Sequence, residues 1–259
     1  MIDYLYVHLD TMSNAVLTKG ITHVEFNHST QNRPKNILLL NANETDGEYE
    51  NHTGLKVVRG EDQVNSYFLK LENRSNSDIK WIDFKEYEIL KQLTALEISE
   101  LLYFSHMKKS LHSPFFYKLQ NDFVFLGLDD ATSKIYYRHI DEFFCLISEK
   151  LSQQMSHWLN RRRSFLSRKK IDVRPVPLPL ISELKGCMQD GLAFDLVNIT
   201  SQSSLSEIRA YIVEDNFRNV DKQSFGGQEL ACTITYDSEE QKWHLQKEEM
   251  DWDFAEIIT

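Results

Sequence analysis

The thirteen residues WLNRRRSFLSRKK, Trp158 to Lys170, hold six basic side chains and no acidic one, in a chain whose net charge is -10. Clustered guanidinium and ammonium groups grip carboxylates and phosphates, with the arginine fork matching either anion bidentately. Arg161, Arg162, Arg163, Arg168, Lys169 and Lys170 are therefore the candidate contacts for an acidic partner. Trp158 and Phe165 are interleaved with them, so the same stretch could hold a nucleic acid or phospholigand by stacking on a base. The competing reading is a solvated cationic helix end, favoured by the helix dipole. The overall acidity argues against nonspecific binding to nucleic acid. The strongest complement inside the chain is residues 237–256, with eight acids, two lysines and the anchors Trp252 and Phe254. That tail is expected to dock near residues 158–170, in the same chain or in a second copy.

Other chemistries are weaker. His23 with Glu25, and His106 with His112, lack the H-E-x-x-H or paired C-x-x-C spacing of a zinc site, so no metal and no cofactor are expected. Gly186 and Gly191 have phosphate-loop separation, but Leu192 and Ala193 stand where Lys and Ser or Thr would be needed. Asp129-Asp130 reads as an ordinary hairpin loop rather than a magnesium site. Cys145 sits beside an apolar helical stripe and reads as a core flank rather than a nucleophile. A hydrolase assembled from dispersed His and Asp residues stays open as an alternative, because catalytic groups can converge without a local motif.

The elements that must position these residues give an α+β fold, with a strand-rich antiparallel N-terminal half, a central helix–β-meander–helix unit and a smaller C-terminal α+β portion. The corresponding regions are 1–90, 91–170 (one domain with 1–90 in one reading) and 171–259. In the first, DYLYVHL, HVEF, NILLLNA, GLKVV and VNSYFLKLE read as strands. NANETDGEYENHTG reads as an exposed acidic loop. In the second, Thr94 and Glu97 form a capping box for a helix expected to be covered on more than one side. FFYKLQ-ND-FVFLGL is expected to be a hairpin turning at Asn121-Asp122, with KIYYRH as a third strand. Asp141 opens a long helix with the stripe Phe144, Ile147, Leu151, Met155 and Trp158. In the third, Ser204 and Glu207 suggest a capped helix over SLSEIRAYIVEDNF, followed by a hairpin in ELACTITYDSEEQKWHLQ.

Glycine and proline are scarce, at nine and five residues, so turns should rely on Asn, Asp and Ser. No basic leader, no apolar run of membrane-spanning length and no even cysteine set is visible, which points to a cytoplasmic protein. LHSPFFYKLQNDFVFL resembles uncharacterised cytosolic proteins of Gram-positive bacteria. The resemblance covers the middle unit alone and implies neither an activity nor site residues. The expected function is a binding or regulatory protein, non-catalytic, acting through contacts with a protein partner or by self-association.

Overall fold

Leu5, Val7 and Leu9 point to one side of the chain and Tyr4, Tyr6 and His8 to the other, as a strand requires. The computed structural model describes residues 4–71, 74–105, 114–129, 132–161, 170–213, 225 and 227–248. Its strands are β1 (Tyr4–Asp10), β2 (Ala15–Lys19), β3 (Asn36–Asn41), β4 (Glu48–Glu50), β5 (Leu55–Arg59), β6 (Lys80–Phe84), β7 (Phe123–Asp129), β8 (Thr132–Tyr137), β9 (Leu192–Asp195), β10 (Thr200–Gln202), β11 (Leu205–Ile212), β12 (Glu229–Asp237) and β13 (Lys242–Lys247). The helices are α1 (His23–Ser29), α2 (Glu61–Lys70), α3 (Ala95–Ser105), α4 (Asp141–Arg161), α5 (Leu178–Ser182) and α6 (Lys185–Asp190).

The fold is α+β, and its strands form one antiparallel sheet in the order β13-β12-β11-β9-β1-β2-β8-β7-β6-β3-β5-β4, with β10 paired to β11. This sheet runs through all three regions of the sequence. The first face carries Leu5, Val7, Val16, Trp81, Phe125, Ile135 and Phe194, and is covered by α1, α2, α4, α5 and α6. The second face is covered by α3 and by Phe115, Phe116 and Leu119 over the half built from β3, β5, β6, β7 and β8. Phe26 of α1 is the hub of the first layer. Its ring lies 5.6 Å from Trp81, 5.4 Å from Phe123, 5.6 Å from Phe125 and 6.1 Å from Tyr137.

The turns use short polar side chains, as their sequence suggests. Asp10 accepts from Met12 N at 2.9 Å, and Asn14 then takes φ 50° to enter β2. Asp237 accepts from Glu239 N at 2.8 Å at the start of the β12–β13 turn. Gly191 is required where it stands. An added Cβ would lie 2.7 Å from Val213 O and 2.9 Å from the Tyr6 hydroxyl, at φ 92°. The glycine that mimicked a phosphate loop is there for close packing.

Several expected elements differ. HVEF lies in α1, where Thr22 and Glu25 make a reciprocal capping box that overrides its strand propensity. VNSYFLKLE lies largely in α2, because Val64, Tyr67, Phe68 and Leu71 fall at helical spacing and all are buried. The acidic stretch 41–54 contains β4. Its Asp46 and Glu50 are buried, with Asp46 held by Arg74 at 2.5 Å and Glu50 accepting from Thr53 N at 2.7 Å. FFYKLQ is not a strand. Asn121 instead accepts from Phe116 N at 2.9 Å and donates to Pro114 O at 3.2 Å, which folds 114–121 into turns and leaves β7 to pair with β6 and β8. The central meander is therefore a two-stranded hairpin, its third partner coming from the N-terminal region. SLSEIRAYI is β11, with Ser206, Ile208 and Ala210 buried in alternation and both of its edges paired. The α3 capping box is present, Glu97 N reaching Thr94 Oγ1 at 3.3 Å, but the helix is covered on one side. Leu101 is fully buried while Leu96 is 67% exposed.

The long-helix stripe matches its expectation. Phe144, Ile147, Leu151 and Met155 are buried, and Trp158 packs partly against the same core. Leu151→Ala should lower the free energy of unfolding by about 2–5 kcal/mol, whereas Leu96→Ala should change it by about 0.5 kcal/mol or less. Urea denaturation of the two variants measures the difference, and equal losses would refute the assigned faces.

Candidate cationic interaction site

The apolar stripe of α4 is flanked by a second stripe at four-residue spacing: Ser148, Ser152, Ser156 and Asn160. These side chains lie along one ridge of the helix. They hold the proline-rich connector 170–177, which has no strand partner of its own to satisfy its backbone. Ser148 Oγ donates to Val176 O at 2.6 Å, and Val176 N donates to Ser152 Oγ at 2.9 Å. Ser156 Oγ donates to Ile171 O at 3.1 Å. Asn160 closes the ladder in both directions, donating to Ile171 O at 2.9 Å and accepting from Ile171 N at 2.9 Å. A carboxamide that both donates to and accepts from one residue imitates a pair of sheet bonds.

This clamp has a topological effect on the cationic run. Asn160 and Ile171 are held together, so Arg161 and Lys170, the residues next to them, start and end the run close to each other. Arg161 and Lys170, one residue inside the clamp on either side, are both exposed. Arg162, Arg163, Arg168 and Lys169, with Phe165, lie outside the described residues. The structure thus brings the two ends of the predicted site together. Trp158 does not stand free beside it, because its ring is packed in part against the main core. Sequence reasoning missed the serines and Asn160. The signal was their spacing of four beside an apolar stripe of the same period.

The acidic complement divides at β13. Asp237, Glu239 and Glu240 sit in the β12–β13 turn, and Trp243 Nε1 donates to Arg174 O at 2.8 Å, so this turn lies at the connector that leads from the clamp. At the far end of β13, Lys247 reaches Glu183 at 3.6 Å. Residues 249–256, the rest of the expected docking tail, lie outside the described residues.

The most perturbed carboxyl group is elsewhere. Asp83, near the end of β6, is buried and accepts from Asp122 N at 2.9 Å and from Phe123 N at 2.6 Å. Burial pushes its carboxyl up to about 7, against the opposing pull of those two amides. Asp122 lies beside it and is itself paired with Lys85 and, at 3.5 Å, with Arg138. The group fixes where β7 starts against β6. Burial also pushes the thiols of Cys145 and Cys187 above their ordinary range and that of Cys232 up to about 12, which disfavours the thiolate. Among the described histidines, His8 is on β1, His23 on α1 and His244 on β13, while His52 Nε2 is bonded to Leu93 O at 2.7 Å. His106 and His112 lie outside the described residues, as does Asp130. Among the described residues no group of three or more His, Cys, Asp or Glu could hold a metal ion, and no helix is long and apolar enough to cross a membrane.

Comparison of the chain with known protein families, curated proteins and solved structures yields no match.

Two outcomes follow from this geometry. Asn160→Ala should speed hydrogen exchange at the Ile171 amide while leaving amides near Leu151 protected, because Asn160 Oδ1 is the acceptor for that amide and Ile171 packs only partly against the core. Unchanged exchange at Ile171 would remove the clamp. For Asp83 the folded carboxyl binds its proton more tightly than the unfolded one, whose ordinary value is 3.8. Its contribution to stability is therefore fully present below about 4 and is lost as pH rises to about 7. The unfolding free energy of the native protein should fall over that window relative to Asp83→Asn, and a pH-independent difference in urea titrations would contradict the assignment.

Proposed function

We propose that this is a binding protein that grips an acidic surface of a protein partner through residues 161–170. The observation that carries the reading is the two-way bonding of Asn160 to Ile171. It brings exposed Arg161 and Lys170, the described ends of the cationic run, to one place. Two cationic groups already held near each other lose less conformational entropy on binding than two free ones, which favours a defined partner over loose counter-ion attraction. A protein is favoured over nucleic acid for two reasons. Trp158, the aromatic at the root of the segment, is partly engaged with the core and so is poorly placed to stack on a base. The whole chain, this run included, has a net charge of -10, which a phosphate backbone would repel.

The test uses two labelled probes of equal formal charge, a glutamate-rich peptide and a single-stranded oligonucleotide, with the full chain. The peptide should bind near physiological salt, and Arg161→Glu with Lys170→Glu should weaken it by about tenfold or more. Binding of the oligonucleotide alone, steeply salt-dependent and lost in the same variant, would replace this reading by the nucleic-acid one. Binding of neither, or binding indifferent to the two changes, would overturn both.

A further inference from the structure

β13 is the last strand of the sheet, and among the described residues no strand pairs with its outer edge. The direction of its backbone groups follows from one bond. Glu248 N donates to Ala231 O at 3.0 Å. Backbone groups alternate sides along an antiparallel strand, so Lys242, His244 and Gln246 also bond inward to β12. Trp243, Leu245 and Lys247 therefore direct their N–H and C=O groups outward. Such an edge invites another strand, and lysine is a common device for keeping one away. Whether Lys242 and Lys247 do so depends on what would stand opposite each of them.

We propose that β13 pairs with β13 of a second copy of this chain, about a two-fold axis at Leu245, joining the two sheets into one. Full overlap of residues 242–248 with their symmetry mates sets this register. Leu245 then faces Leu245 of the second copy, Trp243 faces Lys247, His244 faces Gln246, and Lys242 faces Glu248. No like charges stand opposite each other. Lys242 and Glu248, both exposed, form an ion pair twice over, once on each side of the axis. The hydrogen-bonding parity agrees, because Leu245 with Leu245 and Trp243 with Lys247 are pairs in which both residues have outward backbone groups. Trp243 and Leu245 also lie on the helix-covered face, where they pack against the main core, so the contact extends an existing apolar row. Lys242 and Lys247 have partners at present, Glu240 at 3.0 Å and Glu183 at 3.6 Å, but these pairs are exposed and readily exchanged. A single strand pair buries less than the roughly 1,200 Å² of a standard interface, so the dimer should be weak and concentration-dependent. It leaves residues 161–170 unused and stands or falls apart from the reading above.

Sedimentation velocity on the full chain, from low micromolar to about millimolar concentration, tests the proposal. The native protein should move from monomer to dimer across that range. Lys242→Glu sets two carboxylates opposite each other, and Glu248→Lys sets two ammonium groups opposite each other. Each variant alone should self-associate at least about tenfold more weakly. An equimolar mixture of the two variants restores both ion pairs in a heterodimer and should recover the native association. Circular dichroism and thermal melting should be unchanged, since both positions are exposed. A native protein that stays monomeric throughout, or a dimer that ignores both changes, would overturn the proposal. So would single variants that weaken association without recovering it on mixing, because only this register links residues 242 and 248.

Discussion

The whole architecture hangs on one strand that must be hydrogen-bonded along both edges. β1 pairs with β2 through Val7↔Thr18 and with β9 through Leu5↔Phe194 and Tyr6↔Ala193. Through β2 it holds everything as far as β4, and through β9 everything as far as β13. Without the β1–β9 ladder the sheet would present two raw edges, and the first-face core, which runs from Val58 at one end to Trp243 at the other, would be cut in two. Hydrogen bonding and burial act together here. Leu5 and Val7 lie under the helices while Tyr6 packs against Ala193 and Val213 on the opposite face, so both sides of β1 are packed at its centre.

The helices on the first face are held by polar devices as much as by apolar ones. Glu25 both caps α1 and pairs with Lys150 of α4. Glu142 of α4 accepts from Gln31 N at 2.8 Å and Asn32 Nδ2 at 2.6 Å, fixing the chain just after α1. The serine–asparagine ridge does the same for the connector after α4. These contacts stand where backbone leaves regular structure and needs partners that a hydrocarbon core cannot provide.

Legibility in the sequence followed the local physics. α4 was readable because its stripe, its acidic start and its length all agree. β3, β5, β12 and β13 were readable from short apolar or alternating runs between turns. α1 and α2 were misread as strands because aromatic and β-branched residues raise strand propensity, while the opposing signals were a capping box in one and helical spacing of buried positions in the other. β11 was misread in the reverse sense: Ser204 and Glu207 imitate a capping box, yet Glu207 stands across from Thr200 and Thr235 in the sheet. A non-local pairing that decides the state of a segment leaves little trace in the segment itself. The candidate site divides in the same way. Its charge was plain from composition, but the clamp at its base depends on Ile171 meeting Asn160 of α4, a contact between residues eleven apart.

The position of β1 also governs how the chain can be made. On a ribosome, β1 emerges just before β2 and can find it through a short turn, but its other edge is completed by residues 192–195. At about 5–20 residues per second, that edge stays open for roughly 10–40 s. β2 likewise waits for β8, whose Tyr136 stands opposite Ala15. The nascent chain therefore carries an apolar hairpin, LYVHL with AVL, while the roughly 180 residues between Asp10 and Leu192 are made, before β1 is enclosed on both edges. Sheets closed by such distant partners fold slowly. For this chain the hazardous period is translation itself, and the demand it places on the cell is for something to shield β1 and β2 until β9 arrives.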